Sequence, residues 1–288
     1  MHGIVLLDKP LGLSSNAALQ RVRRRFDRIK AGHAGTLDPL ATGMLPIFLG
    51  EATKFIQHVI AAHKAYRATI AFGSETATAD LEGAVVATAA LPLASRADLD
   101  TVLAGFLGRI RQTPPAYSAI KRDGVPLYKL ARQGHVVEAP SREVVIERIE
   151  VLAYSPEALE MEVVCGSGTY IRSLAVDIGR ALGSAAHLSA LRRLWVSPFE
   201  QEPMLELEDL NDCVDPAALL LPIDRAIGQF SALVLDAPAL AEIQFGRVVA
   251  GRAEADGRYR LYRADGAFTG LGLVADGCLR ADRLMATG

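Results

Sequence analysis

One short run near the N-terminus combines so many chain-breaking residues with a single acid that it constrains the fold around it. Residues 32–43 read GHAGTLDPLATG, with three glycines and one proline among twelve residues. This density predicts a loop rather than a helix or strand. Its only carboxylate is Asp38, which precedes Pro39. Two interpretations follow: Asp38 stabilises its own turn, or the loop, which is less polar than a simple connection, holds the carboxylate against a ligand.

Four other segments accompany this loop along the chain. They read LLDKPLGLSSN at 6–16, KAY at 64–66, PPAYSAIK at 114–121 and SGTYIRSL at 167–174. Together with GHAGTLDPLATGMLPI at 32–47, they resemble the motifs of the TruB family of tRNA pseudouridine synthases. The loop motif alone would be weak evidence, but five blocks in the family's order over about two thirds of the chain are specific.

The resemblance implies that Asp38 is the essential catalytic residue and that Arg172 pairs with it. Arg172 flanks the apolar stripe of a predicted helix, and a surface arginine with a packed stem is the alternative. The resemblance also implies that Tyr66 stacks on the flipped uracil while its hydroxyl assists proton removal at C5. A tyrosine in an alternating strand is more commonly a core residue, and one side chain can serve both purposes.

Two further residues are assigned to base binding by the resemblance. His33 fills the space left by the displaced base instead of acting as an acid or base. The alternative for His33 is a loop histidine that bonds its own backbone. Leu191 closes the uracil pocket, although its sequence context alone would place it in the core.

Three charged residues receive supporting roles. Lys9 is expected to brace the Asp38 loop rather than perform chemistry, and Lys64 is placed among the substrate or RNA contacts. Asp80 lies in the small, polar and acidic segment Gly73–Gly83, which is predicted to be a mobile loop. In that position Asp80 would orient either tRNA or Arg172.

Local basic segments must supply any RNA contact, because the net charge is −2 and the isoelectric point is near 6.3. A helix over 15–29 would turn one apolar face to the core. Its other face would carry an arginine stripe composed of Arg21, Arg24, Arg25 and Arg28. A solvated face is the alternative, but the stripe has no acidic partner, which favours phosphate contact. A second basic segment, 109–135, contains Arg109, Arg111, Lys121, Arg122, Lys129 and Arg132.

Composition excludes several classes of protein. The 288 residues contain no run of about 18 apolar residues and no signal-peptide pattern at the N-terminus. We therefore expect a cytoplasmic protein that does not span a membrane. The three cysteines are scattered, no His/Cys spacing suggests zinc, and no glycine-rich nucleotide motif is present. We expect neither a metal nor a cofactor.

Strand and helix patterns are interspersed along the first 230 residues. Strand patterns lie at Ile4–Leu7, Met44–Leu49, Tyr66–Phe72, Val144–Leu152 and Leu159–Val164. Helix patterns lie at Ala52–Ala62, Ala97–Leu107 and Thr169–Leu182. This mixture predicts an α+β fold with a large mixed, mostly antiparallel sheet. The resemblance implies the pseudouridine synthase fold, with a catalytic cleft across the middle of that sheet.

The chain is divided into a catalytic domain, residues 1–230, and a small C-terminal domain, residues 231–288. Asp-Gly pairs at 256–257, 265–266 and 276–277 predict hairpins of a small β-barrel. The resemblance implies that this barrel is a PUA-like RNA-binding domain. Within the first domain, residues 111–143 form a long insertion rich in Pro, Arg and Lys. In relatives, such a segment forms a thumb that clamps RNA.

The resemblance predicts an enzyme that isomerises uridine-55 in the T loop of tRNA to pseudouridine, as a monomer without protein partners. Asp38 would attack C1′ of the sugar, add to the base or remove a sugar proton, and the sequence leaves these routes open. Three alternatives are a guide-RNA-dependent synthase subunit, a tRNA-folding helper without turnover, and an unrelated carboxylate hydrolase. The last gives no purpose to the arginine-rich segments.

Overall fold

The computed structural model describes residues 1–115, 117, 121–122, 125–127 and 139–286. The strands, in chain order, are β1 Gly3–Lys9, β2 Ala31–His33, β3 Ala41–Leu49, β4 Lys64–Phe72, β5 Ser74–Thr76, β6 Val85–Thr88, β7 Gly108–Gln112, β8 Lys121–Arg122, β9 Val125–Pro126, β10 Arg142–Tyr154, β11 Ala158–Cys165, β12 Ala186–Val196, β13 Ser231–Leu235, β14 Val249–Ala250, β15 Gly257–Arg263, β16 Phe268–Ala275 and β17 Cys278–Leu284. The helices are α1 Ser15–Arg25, α2 Ile56–Ile60, α3 Arg96–Ala104, α4 Ile171–Ala181, α5 Leu207–Asp212 and α6 Ala237–Gln244. Single 3-10 turns cover Gly50–Phe55, Pro216–Leu219 and Ile223–Ile227.

The predicted thumb, 111–143, lies largely outside the described residues. Lys129 and Arg132 of the second basic segment belong to that part, as do the side chains of Lys121 and Arg122. No helix within the described ranges is long and apolar enough to cross a membrane.

An eight-stranded sheet organises the first part of the chain. Its order is β1–β3–β12–β4–β11–β10–β7, and β2 pairs with β3 beside this path. Only the pairing of β3 with β12 is parallel among the described strands of this sheet. The predicted mixed, mostly antiparallel α+β architecture is therefore confirmed. The central strand β12 is absent from the predicted strands.

The sheet is covered by apolar side chains on both faces near β1. Val5 and Leu7 face a core cluster that includes the apolar stripes of α1 and α4. Ile4 and Leu6 face a second cluster with Phe55 of the first 3-10 turn. Alternate residues of a strand point to opposite faces, so burial on both sides explains the continuous apolar run at the start of the chain.

Helix α1 is shorter than predicted. Its N-cap is Ser14, whose Oγ accepts a hydrogen bond from the Ala17 backbone N–H at 3.2 Å, as expected for a serine cap. The helix ends at Arg25, and both Asp27 and Arg28 adopt positive φ angles. A left-handed backbone cannot continue a right-handed helix. The prediction of a helix over 15–29 is therefore wrong in its last turn.

The glycine-rich run of residues 32–43 is a loop only in its middle. Gly32 and His33 belong to β2, and residues 41–43 begin β3. His33 pairs with Ile47 across these two strands. The remaining loop, residues 34–40, carries Asp38 between strands that are themselves paired.

The segment Gly73–Gly83 is not the open loop that its composition predicts. It contains β5, which pairs with β6, and Asp80 forms an isolated bridge with Leu188 of β12. Asp80 is only 2% exposed. Its backbone and carboxylate therefore belong to the packed structure around β12.

A second sheet follows from residue 231, with the order β13–β15–β16–β17–β14. The predicted turns at Asp265-Gly266 and Asp276-Gly277 join the hairpins β15–β16 and β16–β17. The pair at Asp256-Gly257 does not form a hairpin turn, because Gly257 is already the first residue of β15. Strands β13 and β15 run parallel and are separated in sequence by α6.

Candidate active site

The loop that carries Asp38 is fixed from behind by buried polar groups. Lys9 is fully buried, and its ammonium donates to the carbonyls of Pro10 (3.0 Å), Leu13 (2.7 Å) and Pro39 (3.4 Å). The Ser15 hydroxyl accepts from the Leu37 N–H at 2.7 Å and donates to the Leu37 carbonyl at 2.8 Å. Burial lowers the pKa of Lys9 to about 8, and the charge of Asp38 acts in the opposite direction. These hydrogen bonds tie the loop to the segment that precedes α1, which agrees with a bracing role for Lys9.

Asp38 forms an ion pair with Arg172, as predicted. Arg172 lies in the first turn of α4, is 5% exposed, and places Nε 3.0 Å from Asp38 Oδ2. Its Nη1 lies 3.4 Å from Asp80 Oδ2 and donates to the Thr78 carbonyl at 3.0 Å. Its Nη2 donates to the Tyr117 carbonyl at 3.0 Å. These contacts fix the plane of the guanidinium, so the orientation of Asp38 is fixed as well.

The charges around Asp38 oppose one another. Burial raises the pKa of Asp38 above its ordinary value of 3.8, and the Arg172 guanidinium lowers it. The charge of Asp80 also raises this pKa, whereas the charge of Lys9 lowers it. The carboxylate keeps 38% of its side-chain surface exposed. It is therefore both held by a buried cation and open to a ligand.

A cavity of about 390 Å³ opens beside this carboxylate. Its walls include five of the residues singled out in the sequence, namely Asp38, Lys64, Tyr66, Arg172 and Leu191. Tyr66 is 8% exposed on β4, and Leu191 projects from the neighbouring strand β12. Flat ligands of nucleobase size bind in such clefts between apolar and aromatic walls. The structure thus brings the predicted catalytic residues and the predicted pocket leucine together.

Arg193 also lines this cavity and is absent from the sequence predictions. It is 1% exposed, and its Nε donates to the Met44 carbonyl at 2.6 Å. Its Nη2 donates to the Gly35 carbonyl at 3.0 Å. In a strand, residues two apart share a face, so the spacing from Leu191 is the sequence signal that could have identified Arg193.

Two glycines permit this arrangement. A Cβ on Gly43, where φ is +95°, would lie 2.1 Å from the Arg193 carbonyl oxygen. A Cβ on Gly35, where φ is +82°, would lie 3.2 Å from Arg193 Nη1. Both positions also favour glycine by their left-handed backbone. The loop motif therefore needs these glycines for close contact with β12 as well as for turning.

A second cavity, of about 750 Å³, lies on the other side of Asp38. His33, Asp80 and Arg172 contribute to its walls. The buried Nδ1 of His33 has no hydrogen-bond partner among the described residues, which argues against a histidine that bonds its own backbone. Burial, followed by the charge of Arg193, lowers the pKa of His33. His33 is therefore a largely neutral side chain beside the catalytic loop.

Lys64 is buried beside the candidate site. It is 7% exposed, and its ammonium donates to the carbonyls of Ile60 (3.0 Å) and Ala62 (2.6 Å). Burial lowers the pKa of Lys64 to about 8. The hydrogen bonds of this ammonium are used within the protein, and its contact with substrate or RNA stays a prediction. The side chain also forms part of the wall of the 390 Å³ cavity.

The arginine stripe is only partly available for a ligand. Arg21 and Arg24 are exposed on α1, and Arg28 is exposed beyond its end. Arg25 instead donates to the carbonyls of Leu210 (2.8 Å) and Cys213 (2.9 Å). Arg25 thus ties α1 to α5, and its contact with RNA stays a prediction. Within the described parts of the chain, no group of three or more His, Cys, Asp or Glu side chains is arranged to hold a metal ion.

Three family descriptions match successive parts of the chain. Residues 23–171 match "TruB family pseudouridylate synthase (N terminal domain)". Residues 172–227 match "tRNA pseudouridylate synthase B C-terminal domain". Residues 231–285 match "Pseudouridine synthase II TruB, C-terminal".

Similar proteins match over nearly the whole length. The tRNA pseudouridine synthase B of Xanthomonas oryzae pv. oryzae is 49% identical over 289 residues, covering 99% of this chain and 94% of that protein. The protein of the same name from Xylella fastidiosa is 46% identical, covering 99% of this chain and 96% of that protein.

Solved structures support the same assignment. A crystal structure of a Cbf5-Nop10-Gar1 complex contains a chain that is 27% identical, with a TM-score of 0.71, covering 94% of this chain and 78% of that one. An H/ACA RNP bound to a substrate RNA gives a TM-score of 0.74 at 23% identity, covering 99% of this chain and 85% of that one, and supports the fold alone. The pseudouridine synthase fold and the PUA-like C-terminal β domain are thereby confirmed. The sequence match extends over nearly the whole chain, and its loop motif carries an aspartate held by a buried arginine; this chain belongs to the TruB family of pseudouridylate synthases.

Proposed function

We propose that this protein isomerises uridine to pseudouridine in tRNA and that its target is uridine-55 of the T loop. The observation that carries the proposal is a single carboxylate, Asp38, held by the buried Arg172 at the wall of a cavity of nucleobase size. The names of the relatives from Xanthomonas and Xylella supply the substrate class. The position of the uridine and the T arm rest on the family resemblance of the motifs.

The reaction breaks the bond between C1′ and N1 of uridine, turns the base and joins C5 to C1′. It needs a carboxylate beside the sugar and a closed site for the detached base. Asp38 provides the carboxylate, and the 390 Å³ cavity provides the site. Tyr66 and Leu191 would contact the base from its walls. Attack at C1′, addition to the base and removal of a sugar proton all remain compatible with this placement.

The target base must leave its stack before it reaches this cavity. We assign His33 to the space that the base vacates, because it lines the second cavity beside Asp38 with a largely neutral ring. Arg21, Arg24 and Arg28 would contact phosphates from the exposed end of α1. Asp80 would act on Arg172 rather than on RNA, because its carboxylate is buried 3.4 Å from the guanidinium.

We further propose that the two parts of the chain act together on one tRNA. Residues 1–230 would carry the chemistry, and residues 231–288 would add an RNA surface as the PUA-like domain. The protein would act as a monomer in the cytoplasm, where tRNA is available. The alternative of a guide-RNA-dependent subunit is less favoured, because the relatives at 49% and 46% identity are named tRNA pseudouridine synthase B.

Purified protein and a tRNA transcript tritiated at uracil C5 distinguish these candidates. Formation of pseudouridine at C5 displaces the label into water, so we expect tritium release without any added protein or guide RNA. A transcript in which uridine-55 is replaced by cytidine is the matched control and should release none. No release from the unmodified transcript would contradict independent activity, and equal release from both transcripts would contradict the assigned position.

A further inference from the structure

Arg193 and Tyr66 face each other directly across two central strands. They are paired residues in the antiparallel register of β12 and β4. Side chains at paired positions lie on the same face of the sheet and contact each other. Both side chains line the cavity beside Asp38. Arg193 and Tyr66 are therefore neighbours in the wall of this cavity.

The Arg193 guanidinium is fixed but lacks an opposite charge. Two of its nitrogens donate to the carbonyls of Met44 and Gly35. No carboxylate of the described residues lies within 4.0 Å of it. A buried cation without a counter-ion is costly. Such a group is expected where an anion forms during function, and the phenol of Tyr66 is the adjacent group that can become one.

We propose that Arg193 is a positioning residue that acts through Tyr66, stabilising the tyrosine oxygen as an anion while it transfers a proton from C5 of the uracil. This inference rests on the proposed function and goes beyond it by assigning a charge partner to the proton-transfer group. It also explains why a fully buried arginine occupies β12 where an apolar residue would fit the core.

Tyr66 gives up one proton and later takes another. When the C1′–N1 bond breaks, its electron pair stays on the base, and the departing anion takes the Tyr66 phenol proton. After C5 has bonded to C1′, the phenolate removes the proton from C5. The electrons of that C5–H bond restore the C5–C6 double bond of the ring. Tyr66 is again a phenol, and its proton exchanges with water, which accounts for tritium release.

The charges that face Tyr66 agree with this role. Burial raises the pKa of Tyr66, while the charge of Arg193 lowers it. Cys165 on β11 and Asp38 in the loop both raise it, and Arg172 and Arg142 also line the cavity. Lys64, on the same strand as Tyr66, uses its ammonium for two carbonyls. Arg193 is therefore the main group that makes the Tyr66 anion accessible.

A double-mutant cycle in single-turnover tritium release tests this coupling. Arg193→Gln and Tyr66→Phe should each lower the rate by about 100-fold, as for loss of a general acid–base group. In the Tyr66→Phe background, Arg193→Gln should change the rate by less than about threefold, because the group through which it acts is gone. The matched control is Arg192→Gln, which removes the adjacent half-buried arginine paired with Asp8 and should leave the rate near that of the wild type.

The outcomes separate this inference from the proposed function. If the effects of Arg193→Gln and Tyr66→Phe multiply, Arg193 acts on the loop alone and the inference is wrong. If the wild type releases no tritium, the proposed function itself fails. Should Arg193→Gln not fold, Arg193→Lys keeps the charge and moves it away from the Tyr66 oxygen. Arg193→Lys should lower the rate when Tyr66 is present but not in the Tyr66→Phe background. An equal loss of rate in both backgrounds would also overturn the inference.

A ring-fluorinated tyrosine at position 66 gives an independent readout. Fluorination makes the phenol more acidic, so it should replace part of the stabilisation that Arg193 gives to the Tyr66 anion. We expect it to recover at least about tenfold of the rate lost in Arg193→Gln. We also expect the alkaline limb of the wild-type rate profile to move to lower pH. An unchanged limb and no recovery would contradict a role through the tyrosine oxygen.

Discussion

Arg172 joins Asp38 to the protein core through an ion pair of 3.0 Å between Nε and Oδ2. The same guanidinium contacts the buried carboxylate of Asp80 at 3.4 Å. Asp38 is half-exposed whereas Asp80 is buried. Arg172 therefore pairs with the partly exposed carboxylate of Asp38 and is itself fixed by the buried carboxylate of Asp80.

The acid limb of activity should respond to Asp80. Asp38 is active when ionised, so the rate rises with pH through its pKa. Asp80 raises that pKa by its charge, and Asp80→Asn should therefore move the acid limb to lower pH. Single-turnover tritium release across about pH 4 to 7 measures the limb. Its amplitude should also fall, because Arg172 loses one of its fixed contacts.

Glu82→Gln is the matched control for this shift. Glu82 is exposed at the wall of the second cavity and is not among the groups that shift the pKa of Asp38. The acid limb of the Glu82→Gln rate profile should coincide with that of the wild type. A limb that moves to higher pH in Asp80→Asn would show that the charge of Asp80 does not act on Asp38.

The arginine stripe should separate into RNA contacts and a structural contact. Arg21→Gln and Arg24→Gln remove exposed charges from α1. Each should weaken tRNA binding and reduce the slope of log affinity against log salt by about 1. Filter binding over a series of salt concentrations measures both quantities.

Arg25→Gln supplies the comparison on the same helix. Its guanidinium donates to the carbonyls of Leu210 and Cys213, so its loss should lower the free energy of unfolding by about 1–3 kcal/mol. The salt slope should stay unchanged. The assignment would be wrong if Arg25→Gln lowered the slope as much as Arg21→Gln without affecting stability.

The close contact between the catalytic loop motif and β12 should appear as a stability difference. Gly43 and Gly12 both have positive φ, +95° and +82°. A Cβ on Gly43 would collide with the Arg193 carbonyl, whereas a Cβ on Gly12 would meet nothing within 4 Å. Gly12→Ala should cost about 1–2 kcal/mol from backbone strain alone. Gly43→Ala should cost more than about 3 kcal/mol.

Urea unfolding of the two alanine variants gives the comparison. Since the backbone strain is shared, the difference between them isolates the approach of β3 to β12. Equal costs would mean that the strands can separate to admit a methyl group. The positions of Leu191 and Arg193 relative to Asp38 would then be less constrained than the structure indicates.

Sequence patterns predicted the strands with regular apolar alternation and the ion pair within the shared motifs. They did not predict β12, because His187, Ser189, Arg192 and Arg193 interrupt its apolar pattern. In the structure these polar groups are matched by partners distant in sequence, such as Asp8 for Arg192. Such partners are invisible to a local pattern, and Arg193 was missed for that reason.

Several charged residues make internal contacts that their sequence context does not reveal. Lys64 and Arg25 appear in the sequence as free cations, but both donate to backbone carbonyls brought close by tertiary packing. Arg28 leaves the helical face because the backbone reverses at Asp27. Composition also favours exposure for Asp80, whereas the β5–β6 hairpin places it against Arg172.

The central claim is that the Asp38 carboxylate performs the chemistry. Asp38→Asn keeps the size of the side chain and removes its charge. Tritium release from C5-labelled tRNA should fall by at least about 1,000-fold relative to the wild type, while tRNA affinity in filter binding stays within about threefold. Release by Asp38→Asn at the wild-type rate would contradict the account, since the charge held by Arg172 would then have no part in the reaction.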